Sequence, residues 1–235
     1  MLNIFQNVEG VKIFMSERED GNMKLFLPET RRNRTKYLEK IGVDFKNLVA
    51  AKLVHGGRVS VVENFENPII EDVDGLLTRN PEVVLSVTSA DCLPIFLFDK
   101  EKKVAGVLHC GWRSVAKGIV ENALKKMQED FGSQSENILV GVGPGIQKCH
   151  FEVGEDLLKE FSDTEKFVEE KDGKAFLDLT GLVKEKFIEN KIKPGNIEID
   201  ERCTCCDERL WSFRRDGRDE YGEIRAMMVG IKLNS

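Results

Sequence analysis

The sequence predicts an α/β (α+β) fold, a single sandwich over residues 1–235 in which a mixed β-sheet is flanked by helices. Three observations point there. A β-branched run at 83–87 suits a strand buried on both faces. Two further apolar runs, 94–98 and 104–108, flank the charged turn Asp99-Lys100-Glu101-Lys102 as a hairpin would, which makes this part of the sheet antiparallel. Immediately afterwards the apolar spacing turns helical. Hairpins mixed with strand–helix units favour a mixed sheet over a doubly wound parallel one. No Ser/Gly-rich or Pro-rich stretch, repeat or low-complexity tract divides the chain, so one domain with a sizeable core is the simpler organisation.

In chain order, 11–14 and 23–26 flank the polar turn Asp20-Gly21-Asn22 and predict a first hairpin. Thr30 is placed to cap a short helix running to Ile41 and closed by Gly42. Strands follow at 48–54 and 59–62, with His55-Gly56-Gly57 at the bend between them. Beyond the central strands, Val115, Ile119, Ala123, Leu124, Met127 and Phe131 share one face of a helix ended by Gly132. Residues 138–142 return to strand, and Gly143-Pro144-Gly145 then breaks the chain. Helices are expected at 154–161 and 179–190, with short strands at 175–177, 197–199 and 226–233.

Composition narrows the class of protein. The apolar fraction of 41% and charged fraction of 32% are those of an ordinary soluble chain. Net charge is −6, and the only basic cluster, Arg31-Arg32-Asn33-Arg34, reads as a solvated helix face rather than a nucleic-acid footprint. No apolar run approaches the roughly 20 residues of a membrane helix, and the N-terminus has no basic segment before an apolar one. A cytoplasmic location is expected. The six cysteines are accordingly read as thiols rather than a disulfide framework.

The three histidines each follow a strand or a break. His55 precedes two glycines, and His109 precedes Cys110-Gly111. Loops at strand ends present chemistry from a rigid sheet, and glycine lets backbone approach a ligand. Taken singly, each histidine also fits a surface or capped core position. Cys92, in the loop leaving the 83–87 strand, changes the picture, because a thiolate with two imidazoles suits zinc and leaves a fourth position for water.

Several motifs occur in order along the chain: Val54-His55-Gly56, Asp74-Gly75-Leu76-Leu77-Thr78, Ala90-Asp91-Cys92-Leu93-Pro94-Ile95 and His109-Cys110-Gly111-Trp112-Arg113. Gly143-Pro144-Gly145-Ile146, Cys149-His150-Phe151-Glu152-Val153 and Phe213-Arg214-Arg215-Asp216-Gly217 complete the series. Together they resemble the laccase-domain, or polyphenol-oxidase-like (YfiH-like), family over essentially the whole chain. The resemblance implies a zinc-dependent purine nucleoside enzyme: a phosphorylase acting on adenosine, inosine, guanosine and methylthioadenosine, with adenosine deamination at the same site. It also implies that His55, Cys92 and His109 hold the metal. Two positions depart from the family pattern. Leu53 stands where the family commonly has Gln, and Cys110 where it usually has Ala. The first bears on substrate preference, and the second adds a thiol best read as a small packed side chain.

Zinc lowers the pKa of bound water toward about 7, which deamination of adenine would use. Asp91 is the first candidate to move protons, although a carboxylate in that loop is equally suited to capping it. For phosphate, Arg113 lies near a helix start, and Arg214 and Arg215 could contribute from the far end of the chain. Trp112 and Phe151 are candidates to stack on a purine or to join the core. His150 and Glu152 follow the Gly143-Pro144-Gly145 break and are placed to line the same cleft. Cys203, Cys205 and Cys206 are read as packing rather than a second metal site, for want of paired downstream ligands.

Competing readings remain. A multicopper laccase needs more imidazoles than three, and a lone copper centre would want an axial methionine, so copper is the less favoured metal. Cys92 with His109 as base could instead serve a cysteine hydrolase. A zinc-stabilised binding protein is the non-enzymatic reading. The expected partners are a purine nucleoside and phosphate, with no nucleic acid and no membrane.

Overall fold

A computed structural model of the chain describes residues 2–25, 28–160 and 165–234. From the N-terminus come β1 (Val11–Met15), α1 (Pro28–Lys40), β2 (Leu48–Ala51), β3 (Val59–Val61), β4 (Ile69–Ile70), β5 (Gly75–Thr78) and β6 (Val84–Ser89). The centre holds β7 (Leu93–Asp99), β8 (Val104–Cys110), α2 (Trp112–Ala116), α3 (Ile119–Phe131) and β9 (Ile138–Val142). Then follow β10 (Glu152–Val153), α4 (Glu155–Leu158), β11 (Val168–Lys171), β12 (Lys174–Leu177), α5 (Leu179–Glu189), β13 (Ile197–Ile199), α6 (Phe213–Asp216) and β14 (Met227–Leu233).

The α/β sandwich expected from the sequence is present, built on two mixed sheets rather than one. A five-stranded sheet runs β1-β14-β6-β2-β4, and a six-stranded sheet runs β13-β9-β7-β8-β5-β3. Strand β7 shows why its sequence is continuously apolar. Side chains alternate between faces along a strand. Leu93, Ile95 and Leu97 therefore meet α3 and α5 on one side, while Phe96 and Phe98 meet Leu85, Val87, Val229 and Ile231 of the other sheet. Each fully buried side chain of this size contributes roughly 1.5–3 kcal/mol. Helix α1 covers the outer face of the five-stranded sheet through Tyr37 and Leu38, packed with Phe14, Val84 and Met228. The layers are thus helix, sheet, sheet, helix. A small antiparallel sheet, β10-β12-β11, stands apart.

Several expectations change. Strand β1 pairs not with a following strand but with β14, Val11 opposite Leu233 and Met15 opposite Val229. Periodicity identifies a strand without naming its partner, and the long, buried β14 offers the better ladder. Residues 23–25 form no strand, and Phe26 lies outside the described residues. Helix α1 begins at Pro28 with Thr30 inside it, since proline suits a first helical turn. Arg34 is not solvated: it is buried, donating through Nε to the Met23 carbonyl at 2.7 Å, and burial lowers its pKa to about 10. The helix expected through 115–131 is broken at Gly118, whose φ of +73° admits the left-handed turn between α2 and α3. Helix α4 ends at Leu158, and Phe161 of the longer expected helix is outside the described residues.

The registers that place the site follow directly. In the β7–β8 hairpin Leu93 faces Cys110. Strand β5 runs antiparallel to β8 with Gly75 opposite Leu108, and β3 runs parallel to β5 with Val59 opposite Gly75. Cys92, His109, Asp74 and the 54–58 loop therefore emerge at the same end of four consecutive strands.

Candidate metal centre and the cleft above it

The donor atoms of His55, Cys92 and His109 lie within 4.8 Å of one another. The two imidazoles meet edge to face, centroids 4.9 Å apart at 83°. His109, next to last in β8, is 3% exposed, and its Nδ1 lies 2.9 Å from the buried Asp74 Oδ1. A carboxylate only accepts, so Nδ1–H donates to it and Nε2 is left for the cluster. Asp74 also shapes the other histidine loop. It accepts the backbone N–H groups of Val54 at 3.2 Å, His55 at 2.9 Å and Gly56 at 2.7 Å. These bonds hold His55 in the left-handed region, φ +54°, against a cost of about 1–2 kcal/mol for an L-residue.

The electrostatics couple a thiolate to a charged imidazole. Burial raises the Cys92 pKa, but the neighbouring His109 and then His55 overcome it and bring the thiol down to about 6. Burial would lower the His109 pKa, while the Cys92 thiolate and Asp74 push it up to about 10. Burial opposes the Asp74 charge as well, yet His109 and the Gly56 N–H keep its carboxyl below the usual range. A soft anionic donor beside two oriented imidazoles is what a cation of zinc type requires.

Two glycines allow this convergence. A Cβ on Gly111 would fall 2.7 Å from Cys92 Sγ. A Cβ on Gly57 would meet the Lys117 carbonyl at the end of α2, in the same place where Asn122 donates to the Gly57 carbonyl at 2.8 Å. The helix break at Gly118 thus gives the His55 loop its seat.

The cluster lies in a cleft of about 620 Å³ lined by Trp112, Phe151, Phe213 and several cations. Arg113 is among them and lies over the Trp112 ring at 4.1 Å. Among the described residues it makes no ion pair. Arg214 also borders the cleft, but its side chain is turned to the carbonyls of His150 at 2.8 Å and Glu152 at 2.9 Å. Leu53, the position that departs from the family pattern, lines the cleft as well, whereas Cys110 is a fully buried core side chain.

Four sequence candidates stand differently from expectation. Asp91 borders the cleft, but its Oδ1 accepts the Thr204 hydroxyl at 2.6 Å and its Oδ2 the Arg214 backbone N–H at 2.7 Å. Both oxygens hold loops together. Arg215 does not reach the cleft: its guanidinium gathers the carbonyls of Thr204, Cys205 and Asp207 at 2.9, 3.1 and 3.2 Å and pairs with Asp216 at 3.0 Å. His150 is brought instead to Cys149, Cys203 and Cys206, forming a second donor cluster. Glu152 pairs with Lys174 at 2.9 Å and is likewise outside the cleft lining.

Sequence reasoning missed Asp74, whose motif was visible but whose link to His109 depends on strand register. It also missed Arg218, which lines the cleft and makes no ion pair among the described residues. No sequence signal marks that arginine.

Comparison with known proteins places the chain. Residues 28–231 match the family described as multi-copper polyphenol oxidoreductase laccase. This chain belongs to that family. A relative from Bacteroides thetaiotaomicron, named purine nucleoside phosphorylase, is 27% identical and aligned over 86% of this chain and 80% of its own length. An adenosine deaminase from an unknown prokaryotic organism is 29% identical over 76% of this chain and 73% of its own. Among solved structures, YlmD from Geobacillus stearothermophilus shares the fold with a TM-score of 0.88, 24% identity, and 96% and 93% coverage of the two chains. The chain is an enzyme of this laccase-like family, with a Cys/His cluster able to hold a metal. No described helix is long and apolar enough to cross a membrane.

Proposed function

We propose that this laccase-like chain is a zinc-dependent purine nucleoside phosphorylase, cleaving adenosine, and also inosine, guanosine and methylthioadenosine, to the free base and ribose 1-phosphate. Adenosine deamination would share the site, and the enzyme would act in the cytoplasm. The observation that carries the proposal is the His55–Cys92–His109 donor set at the floor of a cleft edged by aromatic rings and arginines. A volume of about 620 Å³ falls within the roughly 300–1,000 Å³ of small-molecule sites. The family is described as multi-copper, but the chain has only three histidines, and one of them belongs to another cluster. That is too few for a blue site plus a trinuclear centre, and the single-thiolate, two-imidazole set suits zinc.

Within that reading each residue has a defined task. His55, Cys92 and His109 bind the metal, and Asp74 fixes the tautomer and ring of His109. When bound, zinc supplies Lewis acidity beside the nucleoside. Trp112 and Phe151 take the faces of the base, and Arg113 with Arg218 takes the phosphate as charge-assisted donors. Asp91, engaged at both oxygens, positions Cys92 and the Arg214 loop rather than carrying protons.

One observation favours a second reading. Asp74, His109 and Cys92 stand in the order of a carboxylate–imidazole–thiolate triad, which a cysteine hydrolase would use without metal. The third donor, His55, has no task in that scheme. The deciding experiment incubates the protein with adenosine, with and without phosphate, and separates the products by liquid chromatography. Adenine formed only with phosphate supports the phosphorylase, and inosine formed regardless supports the deaminase. Loss of both in His109→Ala, with chelator sensitivity, ties them to the metal. Intact adenosine in every sample sinks the purine reading.

A further inference from the structure

The third histidine and three of the remaining cysteines form a group that the cleft does not use. The loop after β9 carries Cys149 and His150, and the loop after β13 carries Cys203 and Cys206. Parallel pairing of β13 with β9, Ile199 beside Val142, delivers both loops to the same end of the sheet. A bridge between Gly145 and Cys203 then brings them into contact. We propose that Cys149, His150, Cys203 and Cys206 form a second, structural zinc site that staples these two loops.

The geometry supports a shared metal over other arrangements. With Zn–S near 2.3 Å and Zn–N near 2.0–2.1 Å, tetrahedral angles require S···S about 3.8 Å and S···N about 3.5 Å. The Cys149 and Cys206 sulfurs are 3.8 Å apart. His150 Nδ1 lies 3.2 Å from Cys149 Sγ, 3.3 Å from Cys206 Sγ and 3.9 Å from Cys203 Sγ. A disulfide would need sulfurs at about 2.05 Å, and all these cysteines are free. Cys203-Thr204-Cys205-Cys206 has the C-x₂-C spacing common to structural zinc ligands.

The surroundings are those of a fixed ligand set. Gln147 donates its backbone N–H to Cys203 Sγ at 3.4 Å. Arg215 holds the Thr204 and Cys205 carbonyls, and Arg214 holds the carbonyl of His150 itself. Four protein ligands close the tetrahedron, which marks a structural rather than a catalytic site. The stapled loops carry Ile146 and Phe151, both lining the cleft. The second metal would therefore stiffen one wall of the active site without touching substrate.

The test counts metal, so it is independent of any turnover. Full-length protein produced with zinc under reducing conditions is examined by native mass spectrometry and elemental analysis. Two zinc ions per chain are expected, falling to one in Cys206→Ser and to one in His109→Ala. His150→Cys, which keeps four soft donors, should retain two. In cobalt-loaded protein, thiolate-to-metal absorption should fall about fourfold in Cys206→Ser, because one of four metal-bound thiolates remains. One zinc in the wild type, retained in Cys206→Ser and lost in His109→Ala, would overturn the proposal. So would a Cys149–Cys206 disulfide in the zinc-grown wild type. Should Cys206→Ser prove insoluble, the wild-type count and cobalt spectrum decide.

Discussion

The two donor clusters draw on the same residue types and lie on opposite sides of a difference in completeness. At the first, one thiol and two imidazoles are backed by Asp74, which also organises the loop that carries one of them. At the second, three thiols and one imidazole meet from two loops whose carbonyls are gripped by Arg214 and Arg215. Three ligands keep a position for chemistry, whereas four use up the tetrahedron. The neighbours follow the same division. A carboxylate oriented on a ligand tunes the metal, while guanidinium groups on backbone carbonyls only fix the loops. On the proposed reading, the number of ligands and the identity of what holds them, rather than the ligand types, separate a reactive centre from a staple.

The sharpest way to break this contrast is His109→Ala. Removing a ligand from the open cluster takes away a Lewis acid worth several kcal/mol, so phosphorolysis should fall on the order of 1,000-fold or more in steady-state assays. An equal activity in the variant would mean the open cluster is not the reactive one. Asp74→Asn comes next. It removes the negative charge and puts an N–H donor in place of one oxygen, opposing either His109 Nδ1 with the His55 N–H or the N–H groups of Val54 and Gly56. Zinc affinity at the open site should drop roughly 10- to 100-fold, measured by competition with a chromophoric chelator, while the closed site keeps its metal.

Gly111→Ala probes packing rather than electrostatics. Its methyl would fall 2.7 Å from Cys92 Sγ, and overpacking of about 1–3 kcal/mol should weaken the open site roughly tenfold or more in the same titration. Arg113→Ala and Arg218→Ala should each raise KM for phosphate by about tenfold, the scale of one charge-assisted hydrogen bond. Deamination of adenosine should be unchanged, and a parallel loss would deny these arginines the phosphate. The smallest effect is expected for Leu53→Gln, which restores a polar group to the cleft wall. A few-fold change in the ratio of kcat/KM between nucleosides is expected, of the size a single neutral hydrogen bond supports.

Much of the architecture was legible because it is local. The β7–β8 hairpin, the apolar face of α3 and the ending of that helix at Gly132 all follow from spacing within one stretch of chain. The partner of β1 was not legible, since β14 lies at the other end of the chain. The candidate ligands His55, Cys92 and His109 were identifiable from their motifs, and the structure brings their donor atoms together. Asp91, Arg215 and His150 show where motif reasoning runs out. Each sits in a conspicuous sequence context, but side-chain direction decides its partners, and those are Thr204, backbone carbonyls and three thiols.

Residue chemistry by itself determined the ingredients: a β-branched and aromatic core, glycines at the tight approaches, and too few imidazoles for a multicopper enzyme. These are properties of composition and short-range pattern, and no tertiary contact can alter them. Only the tertiary structure decided the sorting of those ingredients into two sites. Antiparallel pairing of β5, β8 and β7 sets Asp74, His109 and Cys92 at one sheet end. Parallel pairing of β13 with β9 sets Cys203 and Cys206 beside Cys149 and His150. Register between strands distant in the chain is chosen by burial of whole faces against each other, and no single segment carries that information.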